Sequence, residues 1–160
     1  MSTLKRYRKP GGFKQLLVLI ETSATPKRDQ LMKIVASEDK SWFDELSRRM
    51  LTAEKIFSWE PEAIERVLQL IPDQTWPKAL FHLPQADRDK LFQALIKFQP
   101  QHKQKQLLEY IAELKPAPGE IDAAQTFIIK KVRELQIAGD FRPEKFDPSL
   151  SLDGLDRLMI

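Results

Sequence analysis

The chain has 160 residues, 42% hydrophobic and 31% charged, which is apolar enough to bury a core and excludes global disorder; the length suits one domain or two small helical subdomains. Its 26 basic and 23 acidic side chains leave a formal charge of +3, too mild and too mixed for the dense one-sign stripe of a nucleic-acid module. Cysteine is absent, which excludes disulfides, thiolate metal sites and cysteine nucleophiles, and no apolar run approaches the roughly 20 residues that span a bilayer.

The amino terminus opens on a basic cluster, Lys5, Arg6, Arg8 and Lys9, which reads as an extended arm, either a solvated leader or a contact for nucleic acid or acidic lipid. With no long apolar segment behind it, it does not read as a secretory signal, and a cytoplasmic protein is expected. After Pro10-Gly11-Gly12, the apolar set Phe13, Leu16, Leu17 and Ile20 falls at i, i+3, i+4, i+7 and predicts a first helix. Thr25-Pro26 predicts the cap and first position of a second helix, with Leu31, Ile34 and Val35 on its inner face. Ser41 is the expected cap of a third, carrying Trp42, Phe43, Leu46 and Met50 inward and pairing Glu45 with Arg49 on the wet side.

A turn is expected over Thr52 to Phe57, and Pro61 then opens a helix with Ile64, Val67, Leu68 and Ile71 inward. Pro72, Pro77 and Pro84 divide the next stretch into short elements packed by Trp76, Leu80, Phe81 and Leu83. Leu91, Leu95 and Phe98 line the next predicted helix, and Leu107, Ile111 and Leu114 the one after Pro100. Lys115 to Gly119 reads as a loop before the longest stripe, Ile121, Ala124, Ile128, Val132 and Leu135, which Gly139 stops. From Asp140 to Leu150 the two prolines predict extended or loosely packed chain. Leu152, Leu155 and Met159 could then form a short amphipathic helix docking on this chain or on a partner.

Nothing alternates with period two. The expected fold is therefore all-α, about eight to nine short helices, arranged as a helical-repeat superhelix that leaves grooves for partners and at least one exposed apolar patch, along the first three helices or under the tail.

Chemistry is sparsely provided for. His82 and His102 have no second ligand at helical spacing, and His82, between Phe81 and Leu83, reads as a packed, hydrogen-bonded histidine. The acidic pairs Glu38-Asp39, Asp87/Asp89 and Glu109/Glu113 fit capping or solvent-facing positions better than acid–base work. Trp42 and Trp76 fall on apolar faces, whereas Trp59, at a helix junction, is the tryptophan expected to be partly exposed. No enzyme, cofactor or metal is expected.

At Lys9-Pro10-Gly11-Gly12-Phe13 the chain resembles the flagellar motor switch protein FliG at the double-glycine linker before its carboxy-terminal domain. The run Ala36-Ser37-Glu38-Asp39 with Leu46 to Ile56 resembles the next segment of that family, and Met50-Leu51 matches the start of its Met-Phe-x-Phe hinge. Ala63 to Leu68, Ala79-Leu80, Ile121 to Gln125, Arg133-Glu134-Leu135 and Ala138-Gly139-Asp140 follow in the family's order, so the likeness covers about residues 9 to 140.

The resemblance implies an armadillo-like right-handed superhelical bundle. Its parts would be a basic arm or linker (1–10), a three-helix armadillo-like subdomain (11–51), a carboxy-terminal helical subdomain (52–140) and a tail (141–160). It implies hinges at Gly11, Gly12, Met50 and Leu51, and a charged, partner-facing set of Lys97, Lys103, Lys105, Glu109 and Glu113, of which only Glu109 falls near the family's adjacent acidic pair.

The implied role is a non-enzymatic scaffold in the rotor and switch complex, peripheral to the inner-membrane flagellar basal body. The implied partners are FliG- and FliM-type rotor proteins, a stator cytoplasmic region and further copies of itself. The family's amino-terminal and middle domains have no counterpart here; Met1 and the tail favour a complete short protein over a fragment. The competing readings are a regulatory superhelical domain like the cytoplasmic region of magnesium transporters and a basic-arm nucleic-acid binder, the latter disfavoured by the charge balance.

Overall fold

The structure is a computed structural model in which residues 4–155 are described; the first three residues of the arm and Met159 of the tail stripe lie outside them. Among the described residues there are eight α-helices, four short 3-10 turns and no strand. The chain forms two compact units, one from the described residues up to Thr52 together with those from Val132 onward, the other Ala53–Lys131.

In the first unit, α1 (Gly12–Glu21) packs on α2 (Thr25–Glu38), and α2 on α3 (Lys40–Arg49). Phe13, Leu16, Leu17 and Ile20 are buried as their spacing requires, and the Phe13 ring meets Trp42 edge-on at 5.2 Å. Gly11 precedes α1 at φ 80°, a left-handed conformation suited to glycine, and a Cβ on Gly12 would overlap the Tyr7 carbonyl.

Two caps differ from expectation. Ala24 holds the N-cap position of α2, with Thr25-Pro26 inside the first turn, where the missing N–H of a proline costs nothing. At α3 the cap is Asp39, whose carboxylate accepts from the Ser41 and Trp42 amides at 2.9 and 3.3 Å, so Ser41 lies inside the helix; a charged acceptor suits the positive helix start better than a hydroxyl.

From Leu4 onward the amino-terminal arm is not extended. Leu4–Tyr7 makes a 3-10 turn that buries Leu4 and Tyr7 in the same apolar cluster as Leu17, Val35 and Leu46, because its two apolar residues stand three apart on one side of the turn. The Leu4 amide donates to Glu38 Oε2 at 2.9 Å, and Arg8 lies over the Trp42 ring while its guanidinium donates to Asp39 Oδ2 at 2.6 Å.

Nor is the chain after Asp140 loose. α8 (Pro118–Ala138) ends in a Schellman motif, with Gly139 at φ 83° and the Asp140 amide bonded back to the Leu135 carbonyl at 2.9 Å. Two proline-led 3-10 turns, Pro143–Lys145 and Pro148–Leu150, then bury Phe141, Pro143 and Leu150. Leu155 is buried in the first unit's apolar cluster and Leu152 packs against it.

In the second unit α4 (Ala53–Phe57) replaces the expected turn, α5 (Pro61–Leu68) buries Ile64, Val67 and Leu68, and a 3-10 segment, Trp76–His82, leads to α6 (Gln85–Ile96). α6 is rotated from its predicted face: Phe92, Leu95 and Ile96 are buried, Leu91 is half-buried, and Phe98, past the helix end, is exposed. The Phe92 ring decides this by packing against Trp76 and Phe81 at 6.0 and 6.1 Å.

Trp59 is buried as well, since at the α4–α5 junction its large apolar surface has core to cover, though at 8% it is the most exposed of the three tryptophans. α7 (Gln101–Glu113) comes next, and α8 starts inside the expected loop with Pro118 at its first position. The Ala117 carbonyl accepts from Glu120 and Ile121, and Glu120 Oε1 accepts from the Ala117 amide at 3.2 Å, as in a capping box.

Candidate interaction surface and hinge

α7 is the most exposed of the long helices. Leu107 is its one fully buried side chain, with Gln104, Tyr110 and Ile111 half-buried beside it. Lys103, Lys105, Glu109 and Glu113 are all exposed, and Lys105, Glu109 and Glu113 follow one another at i, i+4, i+8 along one line of the helix. Leu108, 52% exposed, stands among them, so the outer face of α7 combines a charged row with one unburied aliphatic side chain. Lys97 is exposed too, but it caps the end of α6 and does not belong to that row.

Beside α7 the second unit has an open groove of about 260 Å³ lined by Asp73, Gln74, Lys103, Gln106, Leu107 and Tyr110, in which the Tyr110 hydroxyl donates to the Gln74 carbonyl at 2.8 Å. No pattern in the sequence marks this groove, since Asp73 and Gln74 come from a proline-broken segment that carries no periodic signal.

Among the described residues the exposed large hydrophobic ones are Leu70, Phe98, Leu108, Phe127, Ile137 and Phe146; none lies on the first three helices, where Leu31, Met32, Ile34 and Phe43 are half-buried. His82 packs near the Phe57 ring with Nδ1 2.8 Å from the Ala79 carbonyl, while its Nε2 is buried without a partner.

The residues expected as hinges, Gly11, Gly12, Met50 and Leu51, lie in the first unit. Met50 closes α3 in an extended conformation, Leu51 is buried, and the chain leaves the unit after Thr52. Gly11 takes a left-handed conformation at the start of α1, and Gly12 stands where a side chain would overlap the Tyr7 carbonyl.

What holds Leu51 is a buried ion pair that is not among the expected site residues. Glu21 and Arg133, 0% and 1% exposed, form a two-pronged pair in which Arg133 Nε donates to Glu21 Oε1 at 2.9 Å and Nη2 to Oε2 at 2.7 Å. The Leu51 amide donates to the same Oε2 at 2.6 Å.

Arg133 spends its remaining donors on Gln136 Oε1 (2.7 Å), the Leu150 carbonyl (2.8 Å) and the Arg49 carbonyl (3.3 Å), so all five guanidinium N–H groups are used. The signal available in the sequence is a charge on an apolar stripe: Glu21 follows Phe13, Leu17 and Ile20 on the inner face of α1, and Arg133 follows Ile128, Ile129 and Val132 on that of α8.

Two surface carboxylates are also tuned. The Arg8 guanidinium and the Trp42 amide hold Asp39 below the usual carboxylate range, and Arg48 and Arg49, at 2.8 and 3.0 Å, do the same for Glu45. Burial pushes the Glu65 carboxyl on α5 upward.

Among the described residues no helix is long and apolar enough to cross a membrane. A search of the curated proteins gave no match to the chain. The family model described as the FliG C-terminal domain matches residues 33–142, from the middle of α2 to just past the Schellman motif. That match covers more than half of the sequence, and the all-α architecture agrees with it: the chain belongs to the FliG C-terminal domain family, an armadillo-like structural domain of the flagellar motor switch and not a known enzyme family.

Proposed function

We propose that the protein acts without catalysis, as a helical scaffold in the rotor and switch complex on the cytoplasmic side of the flagellar basal body, binding FliG- or FliM-type rotor proteins through helix packing. The family match over residues 33–142 carries this reading. The outer face of α7 is the surface it uses for a charged partner such as the stator cytoplasmic region: exposed complementary charges steer a transient contact and raise its rate of formation without holding it shut. Leu108 among them adds an apolar contact that fixes register.

In this reading Met50 and Leu51 set the path of the chain as it leaves the first unit. The arm does not favour a nucleic-acid role, because Leu4 and Tyr7 are core residues and Arg8 is engaged with Asp39 and Trp42.

The test is capture of purified rotor and stator cytoplasmic proteins by the full chain at low and moderate salt. Capture is expected, with the stator contact weakened by salt and by Lys105→Glu or Glu109→Lys, and rotor capture unaffected by either substitution. Failure to bind any rotor or stator component removes the proposal.

A further inference from the structure

The Glu21–Arg133 pair stands where three distant stretches of the first unit meet. Its carboxylate holds the Leu51 amide, and its guanidinium holds the Arg49 and Leu150 carbonyls. The chain leaves the first unit one residue after Leu51 and re-enters it one residue before Arg133. Both points at which the backbone crosses out of this unit are thus fastened by the same two side chains. Leu150 belongs to the tail turn Pro148–Leu150, and its carbonyl also accepts from Gln136 Nε2 at 3.0 Å.

Simple burial does not require this arrangement. Apolar packing is non-directional, and a buried pair replaced by hydrophobic side chains of similar volume often leaves stability unchanged or improved. A saturated two-pronged pair instead fixes where particular backbone atoms sit, and it is intact only while all of its partners are in place. If the tail turn leaves, Arg133 Nη1 loses its carbonyl acceptor in a fully buried site, and the guanidinium has reason to turn away from Glu21 and toward solvent.

We propose that Glu21 and Arg133 form a conformational clasp coupling the seating of the tail turn at 148–150 to the hold on the chain at 49–51. The exit segment is released when the tail is displaced and tightened when the tail is seated. The functional meaning of that release rests on reading Met50-Leu51 as a hinge. The coupling itself lies inside one unit and is measured without any partner, so its failure and a failure of the proposed function are separate results.

The experiment is residue-resolved amide hydrogen exchange on the full chain, reading Leu51. Leu150→Val trims a fully buried side chain of the tail turn by one methylene and leaves the fold intact. It is expected to speed Leu51 exchange at least fivefold, while the α3 amides of Phe43 and Leu46 change less than twofold. In an Arg133→Lys background a lysine can still meet Glu21 but cannot also reach the Leu150 and Arg49 carbonyls, and there Leu150→Val is expected to alter Leu51 exchange less than twofold.

Leu70→Ala, at an exposed site in the second unit, is the baseline and leaves Leu51 unchanged. The clasp is overturned if Leu150→Val accelerates the Ser151 amide without affecting Leu51. It is equally overturned if Leu51 and the α3 amides accelerate together, or if the response persists undiminished in the Arg133→Lys background.

Discussion

Replacing Arg133 by methionine should be among the most damaging single changes to this protein. The methionine keeps much of the packing volume, so the effect isolates the lost guanidinium. Glu21 is 0% exposed and would keep one hydrogen bond, from the Leu51 amide, after losing both bonds to Arg133. Removing one partner of a buried pair costs about 3–5 kcal/mol, against a total stability of about 5–15 kcal/mol for a domain.

With a urea dependence of about 2 kcal/mol per molar, that loss moves the unfolding midpoint down by about 2 M. Trp42, buried beside Phe13 in the same unit, supplies the fluorescence signal. Arg48→Met, which removes the exposed partner of the half-buried Glu45, serves as the control and should cost no more than about 0.5 kcal/mol. A loss below about 1 kcal/mol for Arg133→Met would put the pair in the energetic class of a surface contact and refute the reasoning.

Gly12→Ala should destabilise the first unit by more than about 1 kcal/mol in the same urea assay, although alanine is the better helix former, because the new methyl overlaps the Tyr7 carbonyl and pries the amino-terminal turn from the core; an unchanged or raised midpoint would contradict it. The Glu65→Gln variant tests the sign of a burial effect. A carboxyl whose folded pKa is raised by burial contributes fully below its unfolded value of about 4.3 and loses that contribution as pH rises through the folded value. The variant should therefore melt higher than the parent at pH 7 but not at pH 3, and an equal gain at both would assign it to packing instead of ionisation.

The apolar periodicity of α1, α5 and α8 places most of their buried residues, since each helix has one covered face and the inner positions recur at helical spacing. Legibility fails where the deciding contact is remote. Phe92 turns inward on α6 because Trp76 and Phe81 arrive beside it, a pairing that the local stripe of Leu91, Leu95 and Phe98 does not foretell.

The turns after Asp140 look loose in sequence because prolines interrupt any period, yet proline also starts the two 3-10 turns that seat Phe141 and Leu150. Asp39 and Ser41 are both cap formers, and a one-dimensional reading weighs such neighbours alike; in the folded chain Arg8 and the Trp42 amide favour the carboxylate over the hydroxyl. The row Lys105, Glu109 and Glu113 is readable because a solvated face needs only helical spacing, with nothing packed against it to alter the register.

The position of the first unit's exit segment poses a different problem from the stability of its core. Leu46, Met50 and Leu51 are buried, but apolar side chains tolerate small slips in depth and rotation at little cost, so they alone leave the backbone at 49–51 loosely specified. A carboxylate that accepts from the Leu51 amide at 2.6 Å and is itself gripped on both oxygens by one guanidinium leaves little such freedom. The cost of dehydrating two charges is tolerable here because every donor of Arg133 is satisfied, two of them by backbone carbonyls. Specificity of backbone placement, obtained at some expense in raw stability, is what a segment that redirects the chain out of its unit requires.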